Sequence, residues 1–179
     1  MTLSTIDPFE LQDNVFTRIG RQWMLVAAAK PDGSSNAMTA AWGGLGFIWQ
    51  KPVAFVFVRQ SRCTKTFIEA SERLSLSFLA SEYRDALQFM GNVSGFDDPQ
   101  KIEHSGLELA FLDGVPYFPE SELVLICKRL YQQDMEERCF LSTDDLVKWY
   151  DRCGGIGDLH TLYIAEIEQI LVEQVPADF

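Results

Sequence analysis

Apolar residues in the first half of the chain fall into short runs that turn-forming residues separate. The runs Trp23 to Ala29 and Asn36 to Trp42 flank a dense turn signal of Pro, Asp, Gly, Ser and Asn, which predicts a β-hairpin. Val53 to Val58 is apolar at every position, as expected of a strand that is buried on both faces. Arg73 to Ala80 alternates between apolar residues and serines over part of its length, which predicts a further strand.

Short helices are predicted between and after these strands. Thr64 to Ala70 is long enough for one helix, Ser81 is a candidate N-cap for the next, and Asp98-Pro99 opens a third that ends at Gly106. The later elements are a strand over Glu122 to Tyr131, a helix over Thr143 to Asp151 that stops at Gly154-Gly155, and a last strand over Leu162 to Val172 with a bulge near Glu166.

The predicted fold class is therefore mainly β with inserted short helices. Strands that are apolar on both faces favour a closed or nearly closed barrel that helices or a partner cover further. The 179 residues suit one domain with a full hydrophobic core. We expect a single domain over residues 1–179, with its core between about residues 16 and 172.

Charge and composition narrow the class of protein. The formal net charge of −11 repels nucleic acids and anionic membrane surfaces. The apolar runs are too short to cross a bilayer, and the N-terminus lacks the pattern of a secretory signal. We expect a cytoplasmic protein that binds neither nucleic acid nor membranes. None of its four cysteines pairs with another at C-x-x-C spacing, so we expect no metal site and reduced thiols.

A cluster of cations follows the apolar run that ends at Val58. Arg59 and Arg62 lie close to Ser61 and Thr64, at the predicted start of a helix. The free N–H groups of a helix N-terminus attract an anion, and a guanidinium group can bind a phosphate in a bidentate manner. Phosphate binding explains this positive segment in an acidic chain, and a solvated loop with a capping serine is the alternative.

A stretch of small residues between Asn36 and Gly44 lets a flat molecule approach the backbone. Thr39 and the main-chain N–H groups can donate hydrogen bonds to the polar edge of a ring, as a reduced flavin requires near N1 and O2. The alternative, which residue types alone favour, is close packing of a neighbouring strand with Trp42 in the core.

Two other features are candidates for a site. The turn-rich segment from Gly91 to Lys101 can cover a ligand or form a flexible surface loop. His160 is the candidate for a catalytic side chain, although a lone histidine is more often structural than catalytic. The spacing of the other residues indicates no Ser-His-Asp triad and no carboxylate pair, and the chain has no G-x-G-x-x-G or P-loop pattern.

These stretches, in this order and spacing, resemble the flavin reductase-like family, the FMN-binding split barrels that include flavoredoxin. The resemblance extends from about Phe16 to Glu168. It is carried by Asn36 to Gly43, Lys51 to Thr64, Ser94 to Lys101, Leu123 to Cys127 and His160 to Ile167. It implies a six-stranded, Greek-key-like split β-barrel that forms a homodimer, with FMN near the subunit interface.

The resemblance also implies which residues bind the cofactor. The residues implied to line the isoalloxazine are Asn36, Met38, Thr39, Ala40, Ala41 and Trp42. Those implied to hold the phosphate are Arg59, Ser61, Arg62 and Thr64, and those implied to lie near the cofactor or its substrate are Ser94, Gly95 and Lys101. His160 falls close to this site without an assigned role.

Three positions depart from the family pattern. Cys63 stands where an aromatic residue is frequent, Gln60 replaces a common proline, and Ala165 replaces a glycine of the last strand. At these positions the shape of the phosphate loop and the closure of the barrel can differ from those of the family.

The implied function is two-electron redox chemistry. In the first hypothesis the protein is a flavin reductase-type oxidoreductase that transfers electrons from NADH or NADPH through FMN to an unidentified small acceptor or partner protein. In the second it is a non-enzymatic FMN electron carrier, as flavoredoxin is. A third hypothesis is a barrel that has lost FMN, and the four phosphate-loop residues argue against it.

Overall fold

Strands dominate the computed structural model, which describes residues 3–151 and 155–173. The strands are β1 (Leu3–Ile6), β2 (Met24–Ala29), β3 (Ser35–Ala40), β4 (Gly43–Ile48), β5 (Lys51–Arg59), β6 (Arg73–Leu79), β7 (Ala110–Leu112), β8 (Val115–Tyr117), β9 (Ser121–Asp134) and β10 (His160–Glu173). The α-helices are α1 (Val15–Thr17), α2 (Cys63–Ala70), α3 (Arg84–Asn92), α4 (Lys101–His104) and α5 (Thr143–Tyr150). Turns of 3-10 helix are Pro8–Glu10, Ser81–Tyr83 and Glu137–Cys139, and Arg18–Gln22 is a turn of π-helix.

Eight of these strands form one antiparallel sheet, in the order β3-β2-β6-β9-β10-β5-β4 with β1 paired to the far end of β10. The edge strands β3 and β4 are joined through Ala41 and Trp42. Inward-facing side chains of the sheet pack into one core that includes Val26, Met38, Val56, Leu76, Leu125 and Tyr163. The sheet thus curves around a single interior, and the fold is the predicted split β-barrel, with eight strands where the resemblance implied six.

Strand β5 shows how the two faces of the barrel differ. Ala54, Val56 and Val58 point into the core and are fully buried. Phe55 and Phe57 alternate with them on the outer face, where each is half-buried. The prediction of a strand buried on both faces is therefore confirmed for the inner face, whereas the outer face of this chain keeps part of its aromatic surface exposed.

Two segments cover other parts of the outer surface. Helix α3 packs on the outer face of β2 through Leu87 and Met90, which contact a cluster around Leu25 and Phe118. The small β7–β8 hairpin covers β9, where Val115 packs with Val124 and other apolar residues. Of the helices among the described residues, none is long and apolar enough to cross a membrane.

Some predicted elements differ from the observed ones. Ser81 was predicted as an N-cap, but this is wrong: the cap position is Ala80, and Ser81 begins a 3-10 turn without a capping hydrogen bond from its side chain. The third helix begins at Lys101 rather than at Pro99. The bulge in the last strand is confirmed by register shifts on both sides of Glu166, while Cys153 and the predicted stop at Gly154 lie outside the described residues.

Strand β4 was not predicted, because glycines at three of its six positions weaken the apolar pattern. Gly44 and Gly46 face the ring of Phe55, and a Cβ atom at Gly46 would lie 2.9 Å from Cε2 of that ring. Strand β4 pairs with β5, and its glycines leave room for the phenyl ring of Phe55 to lie over the bare backbone.

Candidate functional site

A cavity of about 180 Å³ lies where β3 ends, beside β5 and the first residue of β10. The structure brings many of the predicted site residues together here. The lining residues are Met38, Thr39, Ala40, Ala41, Trp42, Phe57, Arg59, Arg62 and His160. Direct pairing of Arg59 with His160 in the β5–β10 ladder places these two residues and Phe57 on the same outer face of the barrel.

Aromatic rings form one side of this cavity. The ring centroid of Trp42 lies 4.9 Å from that of His160 and 5.1 Å from that of Trp149, which it meets edge to face. Phe57 approaches His160 edge-on, with ring centroids 6.5 Å apart. The rings meet at interplanar angles of 85°, 42° and 83°, so they form an apolar wall of ring edges and faces next to the small residues Ala40 and Ala41.

His160 is buried and carries no positive charge at neutral pH. Its Nδ1 atom lies 2.8 Å from the hydroxyl oxygen of Tyr150. Burial, followed by the nearby charge of Arg59, lowers the pKa of His160 to about 4. Burial also raises the pKa of the Tyr150 hydroxyl. Both groups are therefore neutral hydrogen-bonding partners in this part of the cavity.

Thr39 uses its hydroxyl proton within the protein. Its Oγ1 atom donates to the main-chain oxygen of Leu87 in helix α3 at 2.5 Å. Because a hydroxyl group has a single proton, hydrogen bonds from this position to a ligand must come from the main chain.

Arg62 provides positive charge at the other side of the cavity. It is the N-cap residue of α2, and its backbone is extended. Its Nη1 atom donates to the main-chain oxygen of Gly91 at 2.8 Å, which holds the guanidinium group beside the cavity. The free N–H groups of the helix N-terminus lie in the same segment and add to the attraction for an anion.

Arg59 and Ser61 are engaged by a residue that the sequence analysis did not single out, Asp158. Arg59 donates to the main-chain oxygens of Asp158 and Trp149, each at 3.0 Å, and its guanidinium carbon lies 5.2 Å from the ring centroid of Tyr150. The main-chain N–H and the hydroxyl group of Ser61 both donate to the carboxylate of Asp158 at 2.8 Å. Arg59 and Ser61 thus attach the segment before β10 to the loop after β5.

Asn36 and Thr64 meet behind the cavity lining instead of within it. Both side chains are buried, and Thr64 Oγ1 donates to Asn36 Oδ1 at 3.2 Å. Asn36 Nδ2 in turn donates to the sulfur of Cys63 at 3.4 Å. A Cβ atom at Gly95 would lie 1.9 Å from Asn36 Nδ2, so the loop can approach this close only with glycine. These residues connect β3 to the start of α2.

Lys101 and Ser94 hold the same loop in place. The buried Nζ atom of Lys101 donates to the main-chain oxygens of Met90 and Val93 at 2.9 and 2.8 Å. Burial, followed by the charge of Arg62, lowers the pKa of Lys101 to about 8. Ser94 Oγ accepts a hydrogen bond from the main chain of Phe96. Neither residue is among those that line the cavity.

One residue that the sequence analysis missed could have been found from a local pattern, and the others could not. Phe57 lies two positions before Arg59 on a strand, so the two-residue alternation could have placed it beside the cavity. Asp158, Trp149 and Tyr150 come from a distant segment, and only the pairing of β10 with β5 brings that segment to the site.

Comparisons with known proteins agree with this fold. The family model described as the flavin reductase like domain matches residues 16–178. The chain is similar to an FMN-binding domain of a flavin reductase-like enzyme from Shewanella baltica OS155, with 18% identity and a TM-score of 0.67 over 96% of this chain and 77% of that one. It is also similar to flavoredoxin from Methanosarcina acetivorans, with 18% identity and a TM-score of 0.65 over 94% of this chain and 77% of that one.

A third similar structure is an NADH:FAD oxidoreductase from Streptomyces globisporus, with 14% identity and a TM-score of 0.60 over 87% of this chain and 76% of that one. At these identities the structural similarities show the fold. No curated protein matches the sequence. Since the family model covers most of the chain and the barrel is the one this family adopts, the protein belongs to the flavin reductase-like family.

Proposed function

We propose that the protein binds FMN in the cavity beside β3 and acts as an oxidoreductase that takes electrons from NADH or NADPH. One observation carries this proposal. A single cavity joins the small residues Ala40 and Ala41, the aromatic ring of Trp42 and the guanidinium group of Arg62. A flat aromatic ligand with an anionic end matches these three kinds of surface.

The residues of this chain fit the two ends of FMN. The stretch from Thr39 to Trp42 would contact the isoalloxazine ring, and Arg62 with the N-terminus of α2 would hold the phosphate. Bound FMN supplies an acceptor for two electrons and a hydride. The protein contributes position and electrostatics: Trp42 and Phe57 offer apolar ring surface, and the neutral imidazole of His160 adds a hydrogen-bonding group without a charge.

A neighbouring cavity favours an enzyme over a pure electron carrier. It has a volume of about 590 Å³ and shares Ala41 and Trp42 with the first cavity. Its other lining residues are Val15, Phe16, Ile19, Gly20, Gly43, Gly44 and Leu45. This neighbouring cavity therefore leaves room for a second molecule, such as a nicotinamide donor or a small acceptor, to contact Trp42.

The outer face of the barrel supports a homodimer as part of the same proposal. Phe55, Phe57 and Leu162 are half-buried on the outer surface of β5 and β10, where Leu162 pairs with Phe57. Trp49, at the turn between β4 and β5, is 54% exposed. Exposed aromatic surface of this kind is typical of a protein interface. Sedimentation at micromolar concentration is expected to give a dimer, and a monomer would refute this part.

Titration with FMN tests the proposed function directly. Quenching of FMN fluorescence or a shift in its visible spectrum at micromolar protein is the expected result, and the absence of both would refute FMN binding. Steady-state oxidation of NADH and of NADPH then separates the enzyme from the carrier. A protein that binds FMN but oxidises neither nucleotide, with free flavin offered as acceptor, would fit the flavoredoxin-like alternative.

A further inference from the structure

The carboxylate of Asp158 accepts two hydrogen bonds from Ser61, which the family resemblance assigns to the phosphate of FMN. Its Oδ1 atom accepts from the main-chain N–H of Ser61, and its Oδ2 atom accepts from the Ser61 hydroxyl group, each at 2.8 Å. Arg59 Nη1 lies 3.8 Å from the same carboxylate. Carboxylates and phosphates are both oxyanions that bind such donors. An internal anion thus already satisfies the donors of Ser61.

The backbone around Asp158 fixes this carboxylate in position. Its φ angle of +54° lies in the left-handed region, which residues other than glycine adopt infrequently, although Asp and Asn do so more often than most. The main-chain oxygen of Leu159 accepts from the N–H of Gln60 at 3.1 Å, and Gly157 donates to Tyr150 at 3.1 Å. Such backbone conformations persist where the surroundings enforce them, and they are frequent at ligand sites.

From this contact, and resting on the proposed function, we infer that Asp158 is a specificity-determining residue that competes with the phosphate of a flavin for the donors of Ser61. A phosphate that binds between Arg62 and the adjacent Ser61 would have to displace the carboxylate or lie next to it, and two anions in close contact repel each other. Riboflavin has the same ring and ribityl chain but no phosphate, so it does not meet this repulsion. Asp158 therefore reduces the preference of the site for FMN over riboflavin.

The substitution Asp158→Asn removes the charge with little change in shape. An amide tolerates the left-handed backbone and can still accept from the N–H of Ser61. We expect the dissociation constant of FMN to fall by about tenfold, because the substitution removes the repulsion between the carboxylate and the phosphate. The dissociation constant of riboflavin should change by less than about twofold.

Two further variants make this experiment independent of loop stability. Asp158→Gly also removes the carboxylate, and glycine accepts the positive φ angle without strain. Asp151→Asn is the matched control, because Asp151 is exposed and lies earlier in the same segment. It should leave the affinities for both flavins unchanged to within about twofold. Inorganic phosphate should raise the thermal unfolding midpoint of both Asp158 variants more than that of the wild type, with chloride at equal ionic strength as reference.

The outcomes separate this inference from the proposed function. If the folded Asp158 variants bind FMN and riboflavin with equal changes, or bind FMN more weakly, Asp158 is an anchor of the loop and the inference is overturned. If neither flavin binds any of these proteins, the proposed function is refuted. In that case a greater stabilisation of the Asp158 variants by inorganic phosphate still supports the competition for Ser61, and equal stabilisation overturns it.

Discussion

The Tyr150 hydroxyl oxygen and His160 Nδ1 lie 2.8 Å apart in a buried hydrogen bond. This environment lowers the pKa of His160 to about 4, chiefly through burial. The environment of His104 has the opposite effect: this exposed ring bonds to the carboxylate of Asp98 at 2.7 Å, and that hydrogen bond raises its pKa. The chain has two histidines, so each can be followed separately.

We predict that nuclear magnetic resonance will resolve two histidine titrations that depart from the ordinary value in opposite directions. Because the pKa of folded His160 lies below the unfolded value, the unfolded state binds its proton first as the pH falls. The free energy of unfolding should therefore decrease between about pH 6.5 and pH 4, by about 3 kcal/mol in total for this residue. His160→Gln should lack this decrease, and His104→Gln should keep it. Titration of the buried ring near 6.5 would contradict the prediction.

Replacement of Arg62 by alanine should weaken FMN binding much more than riboflavin binding. A lost charge-assisted hydrogen bond to the phosphate corresponds to about 1–3 kcal/mol. Added salt should weaken FMN binding more in the wild type than in the variant, because part of the attraction is screened. Calorimetric or fluorescence titration with both flavins measures the difference. Equal losses for the two ligands would show that Arg62 supports the fold instead.

The control for this experiment is Arg59→Ala. Arg59 donates to two main-chain oxygens in the segment before β10, so we expect its loss to act mainly on stability. Loss of these two hydrogen bonds from a charged group should reduce the free energy of unfolding by about 1–3 kcal/mol.

Gly95→Ala should destabilise the protein, because the added methyl group would overlap the amide of Asn36 and lie 3.0 Å from the sulfur of Cys63. Overpacking of this kind reduces the free energy of unfolding by about 1–3 kcal/mol. Gly20→Ala is the matched control, since a Cβ atom there meets nothing within 4 Å. Urea denaturation of both variants gives the comparison, and equal stabilities would contradict the close contact at Gly95.

Gln50→Gly should stabilise the protein. Trp49 and Gln50 form the two-residue turn between β4 and β5 with φ angles of +54° and +60°, a geometry that favours glycine. Relief of the left-handed backbone should raise the free energy of unfolding by about 1 kcal/mol. The same change at the exposed Gln88 in helix α3 should lower it by about 1 kcal/mol. Thermal unfolding that fails to distinguish the two variants would count against this assignment of the turn.

The elements that follow a clear periodicity were predictable from the sequence. The β2–β3 hairpin and strands β5 and β6 lie close to their expected positions, because their apolar side chains pack into one core. Strand β4 was not predictable, because its glycines carry no apolar signal and their use, to admit the ring of Phe55, is visible only once β4 is paired with β5.

In the site, too, the residues that belong to local sequence patterns were predictable and the contacts between distant segments were not. Small residues on β3 and cations after β5 are local patterns, and the structure brings Ala40, Ala41 and Arg62 to one cavity. The contact between Ser61 and Asp158 joins positions 97 residues apart. It depends on the register that pairs Arg59 with His160, and no local pattern encodes that register.

The hydrogen bond from Thr64 to Asn36 joins strand β3, which leads to Trp42, to the helix that begins beside Arg62. Gly95 packs against the amide of Asn36, which leaves that side chain no room to rotate. The aromatic end and the cationic end of the cavity are therefore held at one fixed separation. A ligand that contacts both ends must match this separation in length, so flavins with a shortened or extended chain between ring and phosphate should lose one of the two contacts.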